Sequence, residues 1–429
     1  MLDLLILISL TFFLLLVLYL RLEVFFGLNL IFLVIESFFK SSIPLALNIL
    51  GVSVYVQDIF FLVISIYIIL YIFNYFFKNK SLPNNFYFFS IGIVFSFIVL
   101  KSLFSFQSFG TTGILSSKPH LYFFSVLLYF SIEKIPLKKH FNILKTIFIT
   151  SIFIIFFTTL RYFNLIPGLY EGIDNMQGFA TSFNANRILN RLDLMILSVS
   201  FIFSFSYLFH CSKRESLKYI LVLLVTPILS LLLLFSYTRS VLLVSIIGFV
   251  CLLINNKIIS KKLVLFFSAF SLIIFFNLVI NLISSESAFS YENLFGQTST
   301  LSFRAFVNVA YLNYMNFTSY IYGMTFGDYP IVFESLYFID ENAGKVGIHN
   351  FYMELLYYLG LPILSFFIFL MLKIFRRLIY ISKNFSNKIL YDTLLCSFVM
   401  YIIFYLAWTP DFLNSLLLGI SINCILENN

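Results

Sequence analysis

"KVGIHNFYMELLYYLGLPILSFF", residues 345–367, moves from a charged residue and a His-Asn pair straight into an apolar run. A hydrocarbon core of ~30 Å takes about 20 apolar residues as a helix, so the run reads as a helix entering a bilayer. His349 and Asn350 then stand at its N-terminus, at the membrane boundary. The chain has four histidines, and a solvated loop end has no need of one. The positive end of a helix dipole favours an anion and disfavours imidazolium. A neutral imidazole is the form that takes a proton from a hydroxyl. An interfacial or capping histidine is the competing reading of the same position.

The rest of the chain extends the membrane reading. Of 429 residues, 61% are hydrophobic and 11% charged, with a mean hydropathy of +1.00. A water-soluble domain carries about 25% charged residues, and this chain has too few to cover a water-facing surface. The composition predicts an all-α polytopic protein, a single integral membrane domain over residues 1–429. "LLILISLTFFLLLVLYLRLEVFF" (4–26) has no small-residue cleavage site and reads as a retained helix rather than a signal peptide. Cys211, Cys251, Cys396 and Cys424 lack metal-ligand spacing and read as small packing residues, so neither metal nor cofactor is expected. The formal charge of +8 comes from Lys and Arg in short loops. That is ordinary for a protein whose partner is a lipid bilayer and gives no argument for nucleic acid.

Apolar windows fall near 2–20, 24–39, 56–77, 85–101, 119–133, 142–160, 191–210, 216–236, 238–255, 262–283, 349–372, 390–407 and 410–426. Lys78, Lys80, Lys134, Lys138, Lys139, Lys213, Arg214, Lys218, Lys257, Lys261, Lys262, Lys373, Arg376, Arg377, Lys383 and Lys388 all fall in alternate loops. The positive-inside rule makes those loops cytoplasmic. The opposite side then holds two long segments, 161–190 and 284–348, and the C-terminus is cytoplasmic. Thirteen helices put the N-terminus outside; if the first is an extra one, the remaining twelve start and end in the cytoplasm.

The cations left on the outer side are Lys40, Lys101, Lys118, Arg161, Arg187, Arg191, Arg239, Arg304 and Lys345. Arginine leads this set, whereas lysine leads the cytoplasmic one. The planar guanidinium fork suits bidentate holding of carboxylate or phosphate. In "FSYTRSVLLVSIIGFV" (235–250), Arg239 sits at a tight hairpin tip. It reads either as a ligand for an anionic headgroup or as an arginine snorkelling to the lipid surface. In "QGFATSFNANRILNRLDLMILS" (177–198), Arg187 and Arg191 are four apart and share a helix face. An anion between them relieves their repulsion, unless Asp193 compensates instead. "STLSFRAFVNVAYLNYMNFTSYIYGMTFGDY" (299–329) places Arg304, Asn308, Tyr311 and Met315 opposite Phe306, Val309 and Leu312. The pattern predicts an amphipathic helix near the membrane surface, with Ser302 as its N-cap and Gly323 and Gly327 permitting a turn. Its aromatic residues read as an interfacial belt or as a platform for sugar rings.

"HNFYMELLYYLG" (349–360), a His-Asn pair, nine residues and a glycine, resembles the signature of the bacterial O-antigen ligase and polymerase superfamily. "SYTRSVLLVSIIGFV" (236–250) is similar to that family's Ser/Thr-Arg segment opening a helix, and 303–329 to its arginine-led amphipathic stretch. "SFNANRILNRLDLMIL" (182–197) is similar, more loosely, to its Asn-containing helix start. The resemblance covers residues 150–375 by motif and the rest by hydropathy. It implies 12–13 transmembrane helices in the bacterial inner membrane, with a long periplasmic loop carrying short amphipathic helices and an active site facing the periplasm. The activity it implies is transfer of a glycan from undecaprenyl pyrophosphate to an acceptor hydroxyl. In that scheme His349 is the base and Arg239 and Arg304 stabilise the leaving pyrophosphate. Arg161, Arg187, Arg191, Asn350 and Tyr311 bind substrate. Pyrophosphate needs charge stabilisation more than a proton, and arginines supply that without a metal. No glycine loop for a nucleotide and no carboxylate pair stands out in the outer loops, as expected for a lipid-linked donor.

The shared motifs do not separate a polymerase, which extends a lipid-linked repeat unit, from a ligase, which transfers to lipid A–core. High Phe, Ile, Asn and Tyr usage favours the polymerase, for which the resemblance also implies a chain-length regulator as partner. A flippase for polysaccharide units is the reading from another class. It predicts inverted repeats, broken helices and ionisable residues away from helix ends.

Overall fold

The structure, a computed structural model, describes residues 2–39, 46–49, 52–79, 85–132, 134–163, 165, 189–211, 216–234, 239–258, 300–330, 348, 350–406 and 408–428. Apolar runs become helices because hydrocarbon offers backbone N–H and C=O groups no partner outside the segment. The first are α1 (Leu2–Leu20), α2 (Leu22–Phe39), α3 (Val56–Asn79), α4 (Phe86–Phe109), α5 (Thr111–Ile132) and α6 (Leu137–Tyr162). They are followed by α7 (Arg191–His210), α8 (Leu217–Leu234) and α9 (Arg239–Asn255). Two short helices, α10 (Thr300–Tyr314) and α11 (Phe317–Tyr322), follow within the 284–348 segment. Then α12 (Phe351–Glu354) passes through a π-helical turn (Leu355–Leu359) into α13 (Gly360–Asn384), with α14 (Lys388–Phe404) and α15 (Phe412–Glu427) closing the chain. An antiparallel ladder, β1 (Ala46–Ile49) with β2 (Val52–Tyr55), is an exception to the all-α expectation.

Among the described residues six helices are long and apolar enough to cross a bilayer: 22–39, 56–78, 86–109, 137–162, 191–210 and 351–384. Stretches of α1, α8, α9 and α15 are apolar but shorter. The 262–283 window lies outside the described residues, as do most of 161–190 and of 284–348. Several helices outrun their apolar windows, because hydropathy marks the part that lipid would cover and not the part that is helical. Lys101 lies inside α4 and Lys118 inside α5, joined at Gly110 where a longer loop was expected. Lys373, Arg376 and Arg377 likewise ride on α13 rather than in a loop.

Contacts sort the helix ends into two groups, as alternating crossings require. At one end, the Ser37 hydroxyl of α2 donates to Asp193 of α7 (2.6 Å) and Arg161 of α6 reaches the Phe38 carbonyl (3.2 Å). At the other, Asn423 of α15 bonds the Phe130 carbonyl (2.6 Å), the Ile135 N–H (2.9 Å) and the His140 ring (2.9 Å). Between them the helices approach closely at small residues. Gly419 admits the Phe130 ring, and Gly248 the Met400 side chain.

The α10–α11 segment docks on the α4–α5 tip. The Phe326 N–H donates to Ser105 Oγ (2.9 Å), and Tyr329 and Ser116 share a hydroxyl contact of 2.7 Å. The faces of α10 are not those expected. Val307, Tyr311 and Met315 point inward and Val309 is exposed, because packing against the bundle, and not the lipid surface, decides which stripe is covered. Two glycines fix the next contact. Gly323 (φ 72°) ends α11 and Gly360 (φ 82°) ends the π turn. A Cβ on Gly360 would strike the Ile321 carbonyl, and one on Gly323 the Tyr358 carbonyl. Left-handed backbone costs a non-glycine residue about 1–2 kcal/mol before any clash. Gly323→Ala and Gly360→Ala should each lower the melting temperature, and the double variant should lose less than the sum, since the two sites abut. An additive loss would mean that the two turns are independent.

The expected orientation puts α11 outside. A cysteine at Phe317, which is 80% exposed, should react with an impermeant thiol reagent in intact cells with a permeabilised outer membrane. Ser319 is a poor probe site because it is buried and completes the capping box of α11 with Asn316. Labelling only after inner-membrane lysis would reverse the orientation.

Candidate functional site

At the end of the bundle that gathers Arg161, Arg191 and Asp411, a cavity of ~520 Å³ opens between α2, α3, α5, the start of α7 and the α14–α15 turn. A cavity of this size suits a headgroup or a few sugar rings. Its walls are apolar at Leu33, Phe60, Phe61 and Leu115 and polar at Glu36, Asp58, Lys118, Tyr122, Arg191 and Asp411. Asp58 is saturated: it accepts from Lys118 (2.9 and 3.1 Å), from the Tyr55 N–H (3.0 Å) and from the Tyr122 hydroxyl. Lys118 is thereby neutralised, and this wall is a brace.

Arg191 is different. Asn190 caps α7 and Asp193 closes the capping box, so the backbone of Arg191 is fixed in the first turn. Its guanidinium lies over the Trp408 ring at 4.4 Å, a cation–π contact that leaves the N–H edges open. Among the described residues it forms no ion pair. Asp193, the alternative compensating charge, forms no ion pair among the described residues, and its Oδ2 accepts from Ser37 and the Asn190 N–H. Arg191 feels the charges of Asp411 and Glu354 from beyond ion-pair distance. The Trp408 indole donates to Ser240 (3.2 Å), which brings the start of α9, at Arg239, to this side of the site.

The other proposed residues divide. Arg161 does not line the cavity; its guanidinium lies 4.3 Å from the Phe38 ring and clamps α6 to α2. Tyr311 is fully buried with its ring edge-on to Tyr357 (4.7 Å), a core residue rather than an exposed sugar platform. Asn350 caps α12, its side-chain oxygen accepting from the Tyr352 and Met353 N–H groups (3.0 and 3.2 Å), because a helix start leaves those donors unpaired. Arg239 and Arg304 have described backbones in α9 and α10, and their side chains, like all of Arg187 and His349, lie outside the described residues.

Three residues were not anticipated. Glu354 ends α12, and its Oε2 lies 3.8 Å from Nε2 of His120, which is buried in α5. Neither His120 nitrogen nor that carboxylate oxygen has a hydrogen-bond partner among the described residues. Phe326, Phe351 and Tyr358 surround the imidazole. A glutamate inside an apolar run is the signal that could have found this pair. Asp411 is the third: it caps α15 by accepting from the Asn414 N–H (2.9 Å), while its Oδ2 is enclosed without a partner.

Enclosure raises the Asp411 pKa to about 6, against the opposing pull of the Asn414 N–H and the Arg191 charge. A carboxyl whose folded pKa lies above its ordinary 3.8 stabilises the fold fully below 3.8 and loses that contribution as pH rises through about 6. Asparagine caps a helix as well as aspartate. Asp411→Asn should therefore melt a few degrees above wild type at pH 7.5, and the difference should shrink to about half at pH 5 and close only below 3.8. A gap of the same size at both pH values would remove Asp411 as the titrating group.

No protein-family model matches the chain, and no curated protein matches it.

Proposed function

We propose that the chain is a membrane glycosyltransferase acting on a glycan carried by undecaprenyl pyrophosphate, and that it is an O-antigen polymerase of the bacterial inner membrane with its site on the periplasmic face. The observation that carries the reading is Arg191, stacked on Trp408 in the wall of a partly apolar cavity and without an ion-pair partner among the described residues. A guanidinium held flat with its donor edge free is suited to a phosphate oxygen pair. Apolar walls beside it suit a headgroup that arrives on a lipid tail. The His-Asn motif supplies the base.

In this scheme Arg191, with Arg239 and Arg304, holds the pyrophosphate and stabilises the charge it gains on leaving. The acceptor hydroxyl, on the next lipid-linked repeat unit, attacks the anomeric carbon. The C–O bond to pyrophosphate breaks, and His349 takes the hydroxyl proton. A ligase differs only in the acceptor, lipid A–core. One observation favours transport of the lipid-linked unit as a second reading: the His120–Glu354 pair is buried among helices beside a π-helical interruption, as broken transporter helices often are.

Purified protein given two lipid-linked repeat units, with chelator and without nucleotide, should elongate the glycan. His349→Ala should slow this by ~10²–10⁴. Arg191→Lys should also fall well below wild type, since lysine replaces neither the stack nor the fork. Normal product ladders from both variants would overturn the scheme. Movement of the lipid-linked unit across vesicles with no bond formed would establish the transport reading instead.

A further inference from the structure

A second cavity, of ~470 Å³, lies at the opposite end of the bundle from Arg191. It is formed by the start of α6, the end of α7 and the α13–α14 turn, with Lys138, His210 and Lys388 in its walls. Its charged side chains carry one sign. Neither lysine forms an ion pair among the described residues.

The nearby carboxylate is already committed. Asp392 is fully buried in α14 and accepts from His210 Nε2 (2.8 Å), Asn255 Nδ2 (2.7 Å) and Asn256 Nδ2 (3.1 Å). It fixes the imidazole in the cavity wall and offers no free oxygen to compete with an incoming anion. Lys388 is fixed too, its ammonium bonded to the Ser382 and Lys383 carbonyls at the end of α13. Lys138 is exposed and is the adaptable member. Both α6 and α14 begin here without a side-chain cap, while α7 and α13 end here, so the helix dipoles largely offset one another and the positive field comes from the lysines. The remaining walls are polar at Ser386 and Asn387 and apolar at Leu137, Phe141, Ile389 and Leu390.

We propose that this cavity binds the phosphate of an anionic phospholipid in the leaflet at this end of the bundle. Basic pockets between membrane helices take such headgroups. The apolar part of the wall, at Leu137, Phe141, Ile389 and Leu390, separates this occupant from a soluble phosphate, which has no use for it. The site is independent of the glycan chemistry proposed at the other end.

The test uses the full chain, delipidated in neutral detergent, with phosphatidylglycerol, phosphatidylcholine or glycerol 3-phosphate added. Native mass spectrometry reads retention, and the melting temperature reads stabilisation. Phosphatidylglycerol should be retained and should raise the melting temperature, and salt should weaken both effects. Lys138→Glu should bind it on the order of tenfold more weakly while melting like wild type without lipid. Lys78→Glu, the same charge change at the same end but away from the cavity, should bind as wild type does. Equal effects from phosphatidylcholine, undiminished binding by Lys138→Glu, or full stabilisation by glycerol 3-phosphate would each overturn the assignment.

Discussion

Polar groups placed in an apolar medium must find partners within the chain, because lipid supplies none. Nearly every feature described above follows from where the few polar side chains are spent. Serine and threonine hydroxyls along the helices mostly bond back to the preceding turn, as Thr150 does to Thr146 and Ser204 to Ser200. The longer polar side chains gather at the two bundle ends and tie helices together there. Asn423 alone joins α15 to the end of α5 and the start of α6. Asp392 joins α14 to α7 and α9. Between the ends, aromatic rings and small residues do the packing, with Phe123, Phe351, Phe367 and Tyr405 in mutual edge contact near α12.

That economy gives an unpartnered polar atom its meaning. Arg191, His120 and Glu354 sit where a purely structural design would have paired or replaced them. Arg161, close by, is what a structural arginine looks like: it stacks on Phe38 and donates to a backbone carbonyl. Arg191 has the stack without such a bond among the described residues, so its donors are available at a cavity wall. The contrast between two arginines at one end of one bundle distinguishes a guanidinium spent on bracing from one whose donors are unspent among the described residues.

Much of the helical framework was legible in the sequence, because hydropathy over about 20 residues reports the same quantity that makes a segment a membrane helix. Helix ends were less so. Lys101, Lys118 and Lys373 looked like loop residues because they are charged, yet they extend helices beyond the apolar part. The inward face of α10 was misread because Tyr311 and Met315 share a stripe with Asn308, and periodicity alone does not say which stripe a neighbour covers. Of the site, Arg191 was visible as an arginine at a helix start. Trp408 and Asp411 come from a turn more than two hundred residues away, and His120 meets Glu354 only through packing of α5 on α12. Such meetings depend on tertiary contact and leave no local pattern.

The charge balance around Arg191 bears on how a phosphate-bearing lipid would be received. Two carboxylates, Asp411 and Glu354, lie within electrostatic reach of the guanidinium. When ionised they lower the cost of an otherwise unpaired cation, but they then also repel an anion that approaches it. Asp411 can relieve that repulsion, because enclosure already holds its pKa near 6, close to the range in which it would take up a proton. An anion beside Arg191 partly cancels the positive charge that now pulls the Asp411 pKa down, and it adds a like charge besides. Both changes favour the protonated carboxyl. On the proposed reading, binding is then linked to uptake of a proton at Asp411, and affinity for the lipid-linked donor rises as pH falls toward about 6 and levels off below it. Asp411→Asn, which lacks the titrating group, separates this linkage from any titration of the base, since only the first should vanish in that variant.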